Sequence, residues 1–200
     1  MVTKRRRTIK AADIRRAELL DAAIRVFARD GFDAPVSAIT EEAGVAKGTF
    51  YLYFKTRDDL LYALRDRFNE HLAAEITRLR PPTEAGSWVA FLERLVKRAI
   101  ALQVENHQLH GLVRRAPHAT GDTHTQDPIR ERLRLLLAEG VVAGGLDIRD
   151  SGATADLVYE VLHAAGDQAT EQPDRVAAIT RAAQDLVVRG LARSSANYPG

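Results

Sequence analysis

Along nearly the whole chain the apolar residues return every three or four positions, and nowhere do they alternate with polar ones over the length of a strand. That spacing confines the chain to packed amphipathic helices, an all-α architecture of about nine. A first helix is predicted over 13–30, with Ile14, Ala17, Leu20 (with Leu19), Ile24 and Phe27 (with Ala28) on its inner face, Asp13 as N-cap and Gly31 just past its end. Two short helices follow at about 37–43 and 47–53, then a longer one capped by Thr56 and reaching about Leu79. Neither residue of Pro81-Pro82 can sit inside a helix, so that pair is the strongest break and marks the exit from a first unit. Beyond it the same periodicity predicts helices near 88–104, 107–115, 128–143, 151–169 and 174–193, with a polar loop over 117–127. The chain thus divides into a basic disordered arm (1–10), a small helical unit (11–55), a connecting helix (56–80) and a larger helical bundle (81–200).

Composition removes several alternatives. Two hundred residues, 46% of them hydrophobic and 28% charged, have the balance of a globular protein. A chain of that length buries roughly 70% of its unfolded surface and needs no metal or disulfide staple. There is no cysteine, which excludes a disulfide framework, a thiolate zinc or iron–sulfur site and a cysteine nucleophile. No apolar stretch approaches the roughly 18 residues of a membrane span, and Met1–Arg7 is not the apolar start of a signal peptide. A cytoplasmic protein without membrane contact is expected. The formal net charge is +2, but residues 1–55 hold 11 basic against 7 acidic residues and the remainder 18 against 20. The basic part suits a polyanion and leaves the slightly acidic remainder for another task.

The segment Ser37–Phe54 carries the most chemistry. Ile39 and Ala43 are the inward positions of one short helix, and Phe50 and Phe54 those of the next. Gly44 permits a sharp turn between them and Val45 plugs the angle. Two short helices joined through such a turn form a helix-turn-helix, whose second helix enters the major groove of DNA. Lys47, Thr49, Tyr51 and Tyr53 fall on or near its free face with chemistry suited to phosphates and base edges. Gly48, lacking a side chain, lets the backbone approach DNA closely.

The run Ala43–Leu60, with the preceding Ile14, Leu19, Ala22, Ala23, Phe27, Gly31 and Phe32, closely resembles the DNA-binding signature of TetR/AcrR-family transcriptional regulators, continuously over residues 13–64. The resemblance implies a three-helix DNA-binding domain, then a helical domain for ligand binding and dimerisation. Carried over by position, it places Lys47, Gly48 and Thr49 at the start of a recognition helix, Tyr51 and Tyr53 on phosphates or base edges, and Lys55 and Arg57 on the DNA backbone. Two departures stand out. Pro35 replaces the usual Thr and Ala46 the usual Ser, removing two capping hydroxyls, and Ser37 is left to cap the second helix. The basic arm, Lys4 to Arg7, is positioned to track the phosphate backbone or enter the minor groove.

One helix-turn-helix reads few base pairs, so a homodimer on a palindromic double-stranded operator is implied. The last two helices are candidates for the pairing, through Leu157, Val161, Ala164, Ala165, Ile179, Ala183, Leu186 and Val187. Between the two functions lie large apolar residues proposed to line a pocket for a small, largely apolar inducer: Phe68, Trp88, Phe91, Leu92, Leu95, Leu109, Leu112, Val113 and Leu162, with His110 and His163 as polar handles. The resemblance implies a repressor released from its operator by that inducer. His107, His110, His118 and His124 lack thiolate or obvious carboxylate companions for a metal site, and no cofactor is expected. Gly140–Gly145 is not followed by the Lys-Ser/Thr of a phosphate loop. Two weaker readings are a ligand-binding protein with a decayed DNA-reading unit and a small helical enzyme using Ser151, Asp156 and His163. The latter set has no spacing that argues for catalysis.

Overall fold

The computed structural model describes residues 2–107, 111 and 127–192, with side chains placed from residue 12 onward. Among the described residues there are eight α-helices and no strand: α1 (Val2–Asp30), α2 (Val36–Glu42), α3 (Lys47–Tyr53), α4 (Arg57–Arg78), α5 (Trp88–Glu105), α6 (Pro128–Val142), α7 (Ser151–Glu171) and α8 (Val176–Leu191). The helix expected near 107–115 and most of the loop expected over 117–127 lie outside the described residues. The chain forms two compact units, which divide between Phe68 and Asn69 inside the continuous helix α4.

In the N-terminal unit α1 begins at Val2, not at Asp13. No proline or glycine interrupts the chain before Gly31, so the backbone expected as a disordered arm continues the helix and Asp13 lies within it. The inner face differs in part from the one expected. Leu19, Leu20 and Phe27 are buried as expected, together with Ala22, Ala23 and Val26, while Ile14 is 52% exposed. Against them pack Ile39 of α2, Phe50 of α3, Phe54, and Leu60, Leu61 and Leu64 of α4. Gly44, at φ +65°, turns the chain between α2 and α3, a backbone region that side-chain-bearing residues avoid. The turn closes through a hydrogen bond from the Val45 N–H to the Thr40 carbonyl at 2.9 Å. A reciprocal capping box starts α4: the Asp59 N–H donates to Thr56 Oγ1 at 3.1 Å and the Thr56 N–H to Asp59 Oδ2 at 2.9 Å.

In the C-terminal unit α5 is the central helix, burying Trp88, Phe91, Leu92, Leu95, Val96, Ala99, Ile100, Leu102 and Gln103. Its two ends are fitted by glycines of other elements. A Cβ at Gly145 would lie 2.2 Å from the Trp88 ring, and one at Gly166 of α7 would lie 2.1 Å from Gln103 Oε1. The glycine-rich run after α6 is therefore a packing device. Gly166 likewise brings α7 close to α5. Asp127 and Asp150 cap α6 and α7, each carboxylate accepting from two backbone N–H groups of the first turn. The Asp147 N–H donates to the Leu191 carbonyl at 3.0 Å, fixing the end of α8.

Candidate nucleic-acid interface

The outward face of α3 is set by its buried one. Phe50 and Phe54 anchor the helix in the core, and Lys47, Gly48, Tyr51 and Leu52 are left exposed, with Thr49 and Tyr53 half-buried on the flank. Gly48 has no atom within 4 Å of where a Cβ would stand, so packing within the fold does not require glycine there. Neither α2 nor α3 has a side-chain cap: Pro35 and Ala46 occupy the N-cap positions and make no such hydrogen bond. Ser37 does not take over that role. It lies exposed inside α2, where its carbonyl accepts from the buried Thr40 hydroxyl at 3.0 Å.

Charge is concentrated on this face by subtraction. Arg15 pairs with Glu18 at 2.6 Å, Arg67 with Asp21 at 2.7 Å, and Arg25 and Arg29 both with Glu42 at 2.7 and 3.0 Å. Hydrogen bonds from Arg25 and Arg29 hold the Glu42 carboxyl below its ordinary range. Lys47 and Lys55 are exposed and have no ion-pair partner among the described residues. Arg16, which the sequence did not single out, is also without a carboxylate and lies 5.2 Å from the Phe54 ring centroid, beside the end of α3. Leu52, 81% exposed, was missed as well. Its position two residues from each buried phenylalanine was the available signal.

Arg57, expected on the DNA backbone, is engaged within the fold. Its guanidinium turns into the unit, donates to the Phe32 carbonyl and lies 5.4 and 4.8 Å from the ring centroids of Phe27 and Phe32. The Phe32 carbonyl takes one of its five N–H donors, and the two rings hold the half-buried guanidinium in place.

In the C-terminal unit a small cavity of about 30 Å³ is lined by Leu72, Ile76, Ala99, Gln103, Ile129, Tyr159, Leu162 and His163. Of the expected pocket residues that are among the described ones, Leu162 and His163 line it. Trp88, Phe91, Leu92 and Leu95 are buried core residues of α5, with Trp88 against Gly140 and Gly145, and Phe68 is buried in the N-terminal unit. Leu109, His110, Leu112 and Val113 lie outside the described residues. At the cavity edge Asp127 joins three helices: Oδ1 caps α6, while Oδ2 accepts from Asn69 Nδ2 of α4 at 3.1 Å and from the Tyr159 hydroxyl of α7 at 3.3 Å. The Arg130 guanidinium lies 3.9 Å from the Tyr159 ring centroid and is held by Asp156 and Glu160.

The residues expected at a dimer interface divide by exposure. Leu157 and Leu186 are 69% and 67% exposed, Ala164 is exposed and Val161 half-buried. Ala165, Ile179, Ala183 and Val187 are buried within the chain's own core and are not available to a partner. Ser151 and His163 stand twelve positions apart on α7, roughly 18 Å along a helix, so the catalytic set does not assemble. Among the described residues no cluster could hold a metal ion and no helix is long and apolar enough to cross a membrane. His118 and His124 lie outside them.

Residues 19–64 match the model of the tetR family of bacterial regulatory proteins. The fatty acid metabolism regulator protein of Bacillus subtilis is 30% identical over 145 residues, 66% of this chain and 73% of that protein. A tetR family transcription regulator from Shewanella shares the fold with a TM-score of 0.69 at 21% identity, over 90% of this chain and 99% of that one. The regulator FadR of Bacillus subtilis, solved with stearoyl-CoA, does so with a TM-score of 0.65 at 22% identity, over 87% and 98%. The chain belongs to the tetR family and is a DNA-binding transcriptional regulator.

Proposed function

We propose that the protein acts as a homodimer on a palindromic operator, each α3 lying in a major groove, and that an acyl-bearing ligand entering the α4–α5–α6–α7 cavity releases it. The observation that carries the DNA-binding half is the outward face of α3, where Lys47, Gly48 and Tyr51 stand free on a helix fixed by Phe50 and Phe54. Lys47 and Lys55 supply unneutralised charge to phosphates, Thr49, Tyr51 and Tyr53 supply hydroxyls, and Gly48 supplies clearance. Leu157, Val161, Ala164 and Leu186 form the apolar outer faces of α7 and α8 that would pair across the two-fold axis.

The cavity wall supports the ligand class. Leu72, Ile76, Ala99, Ile129 and Leu162 are aliphatic, as an alkyl chain requires, and the relative that is 30% identical over 145 residues is a fatty acid metabolism regulator. A space of about 30 Å³ admits little more than one water. A chain can therefore enter only by displacing the helices that line the cavity. By linkage, operator DNA weakens ligand binding by the same factor that ligand weakens DNA binding. The test is selection of a duplex from a randomised library by the full-length protein, followed by titration with acyl-CoA thioesters, free fatty acids and small phenols. Selection of a two-fold repeat and its release by the acyl series alone is the expected result. Failure to enrich any duplex at low salt would exclude the DNA-binding half, and release only by phenols would exclude the acyl class.

A further inference from the structure

We propose that Leu52 reads the 5-methyl group of a thymine in the major groove and so sets the base preference at one position of each half-site. The inference rests on the DNA-binding function proposed above. Leu52 is 81% exposed, against 52% for Ile14 and 50% for Tyr51, the other exposed large hydrophobic residues of the N-terminal unit. A single exposed leucine is ordinary on a protein surface; its setting here is not. It stands two residues after buried Phe50 and two before buried Phe54, and at about 100° per residue it points opposite to their mean direction. One turn earlier on the same face is Gly48, with open space around it. The centre of the outward face therefore carries no hydrogen-bonding side chain, while Lys47 and Tyr51 flank it on one side and Thr49 and Tyr53 on the other.

The edges of base pairs in the major groove are donors and acceptors with one apolar exception, the thymine methyl. An apolar ridge between polar flanks complements that methyl and none of the other groups. Gly48 allows the α3 backbone to come close enough for a side chain as short as leucine to reach the base edge. Lys47 on the flank of the ridge, and Lys55 just past α3, are exposed and without an ion-pair partner among the described residues, which favours a polyanion over an apolar protein surface as its occupant.

The experiment uses the full-length protein and the duplex it selects. Each thymine is replaced in turn by deoxyuridine, symmetrically in both half-sites, which removes only the methyl group. At one position binding should weaken about fourfold per half-site, the equivalent of about 0.8 kcal/mol for one buried methyl-sized group. Leu52→Ala, whose helix content is checked by circular dichroism, should bind the thymine duplex more weakly and be indifferent to that uridine. Leu52→Arg should select guanine at the same position. The inference is overturned if no uridine weakens binding, or if Leu52→Ala keeps the parent's sensitivity to it. Failure of the parent to select any duplex would overturn the DNA-binding function itself and this inference with it.

Discussion

The Arg57 guanidinium donates to the carbonyl oxygen of Phe32, 25 residues earlier in the chain, and lies 4.8 Å from the centroid of the Phe32 ring. This ties the start of α4 to the turn after α1. Arg57→Ala is expected to destabilise the fold by about 1–3 kcal/mol, because it leaves a half-buried carbonyl without its donor and removes two ring contacts. Arg57→Lys should not restore the loss, since a compact ammonium cannot lie flat between the rings while reaching the carbonyl. Chemical denaturation measures both. The salt dependence of DNA binding should stay that of the parent, whereas Lys55→Ala should lower its slope by about 0.9 per subunit.

Gly48 separates stability from function. A glycine inside a helix costs about 0.5–1 kcal/mol relative to alanine, and a Cβ there meets nothing within 4 Å. Gly48→Ala is expected to unfold at a higher denaturant concentration and yet bind operator at least tenfold more weakly, by fluorescence anisotropy. Unchanged affinity would show that the α3 backbone does not approach the duplex closely at this residue.

The exposed halves of α7 and α8 predict a change in assembly. Leu157→Lys with Leu186→Lys places charge on two side chains that are 69% and 67% exposed in the single chain. Helix content should be retained, and light scattering should report a monomer at concentrations where the parent is a dimer. Ala183→Lys, at a residue buried in the chain's own core, should instead fail to fold.

How much of this was legible in the sequence depended on whether the cause was local. The turn at Gly44, the Pro81-Pro82 break and the Thr56 cap act within a few residues, and the helices around them fall where expected. The bounds of α3 coincide with the predicted ones because its start follows the turn directly. The packing of Arg57 was not legible because its partners, Phe27 and Phe32, are brought to it only by the closed unit. In α7 the residues Val161 to Gly166 are apolar or small on several sides, and periodicity alone does not say which side faces inward. Ala164 and Ala165, neighbours in sequence, thus divide between surface and core. Trp88 is a core residue by size, but the cavity lies toward the other end of α5, at Ala99 and Gln103.

Tyr159 carries a pH prediction. Burial, with the Asp127 carboxylate beside it, pushes its phenol above the ordinary value near 10, and the Arg130 guanidinium opposes this only in part. The unfolded chain loses this proton first, so stability present below pH 10 should decline as pH rises above it. Ultraviolet titration should show one tyrosinate forming together with loss of helix, and Tyr159→Phe should flatten the alkaline decline.

The ion pairs on α1, α2 and α4 have a consequence for how the protein finds its site. Four arginines of the N-terminal unit are held by carboxylates, and arginines left free would have gripped any duplex regardless of sequence. Random DNA is bound through phosphate neutralisation alone, and its hold grows steeply with every free cation. A unit that spends its arginines on its own carboxylates leaves wrong addresses quickly. Its search is then limited by the number of sites to be visited and not by the time lost at each.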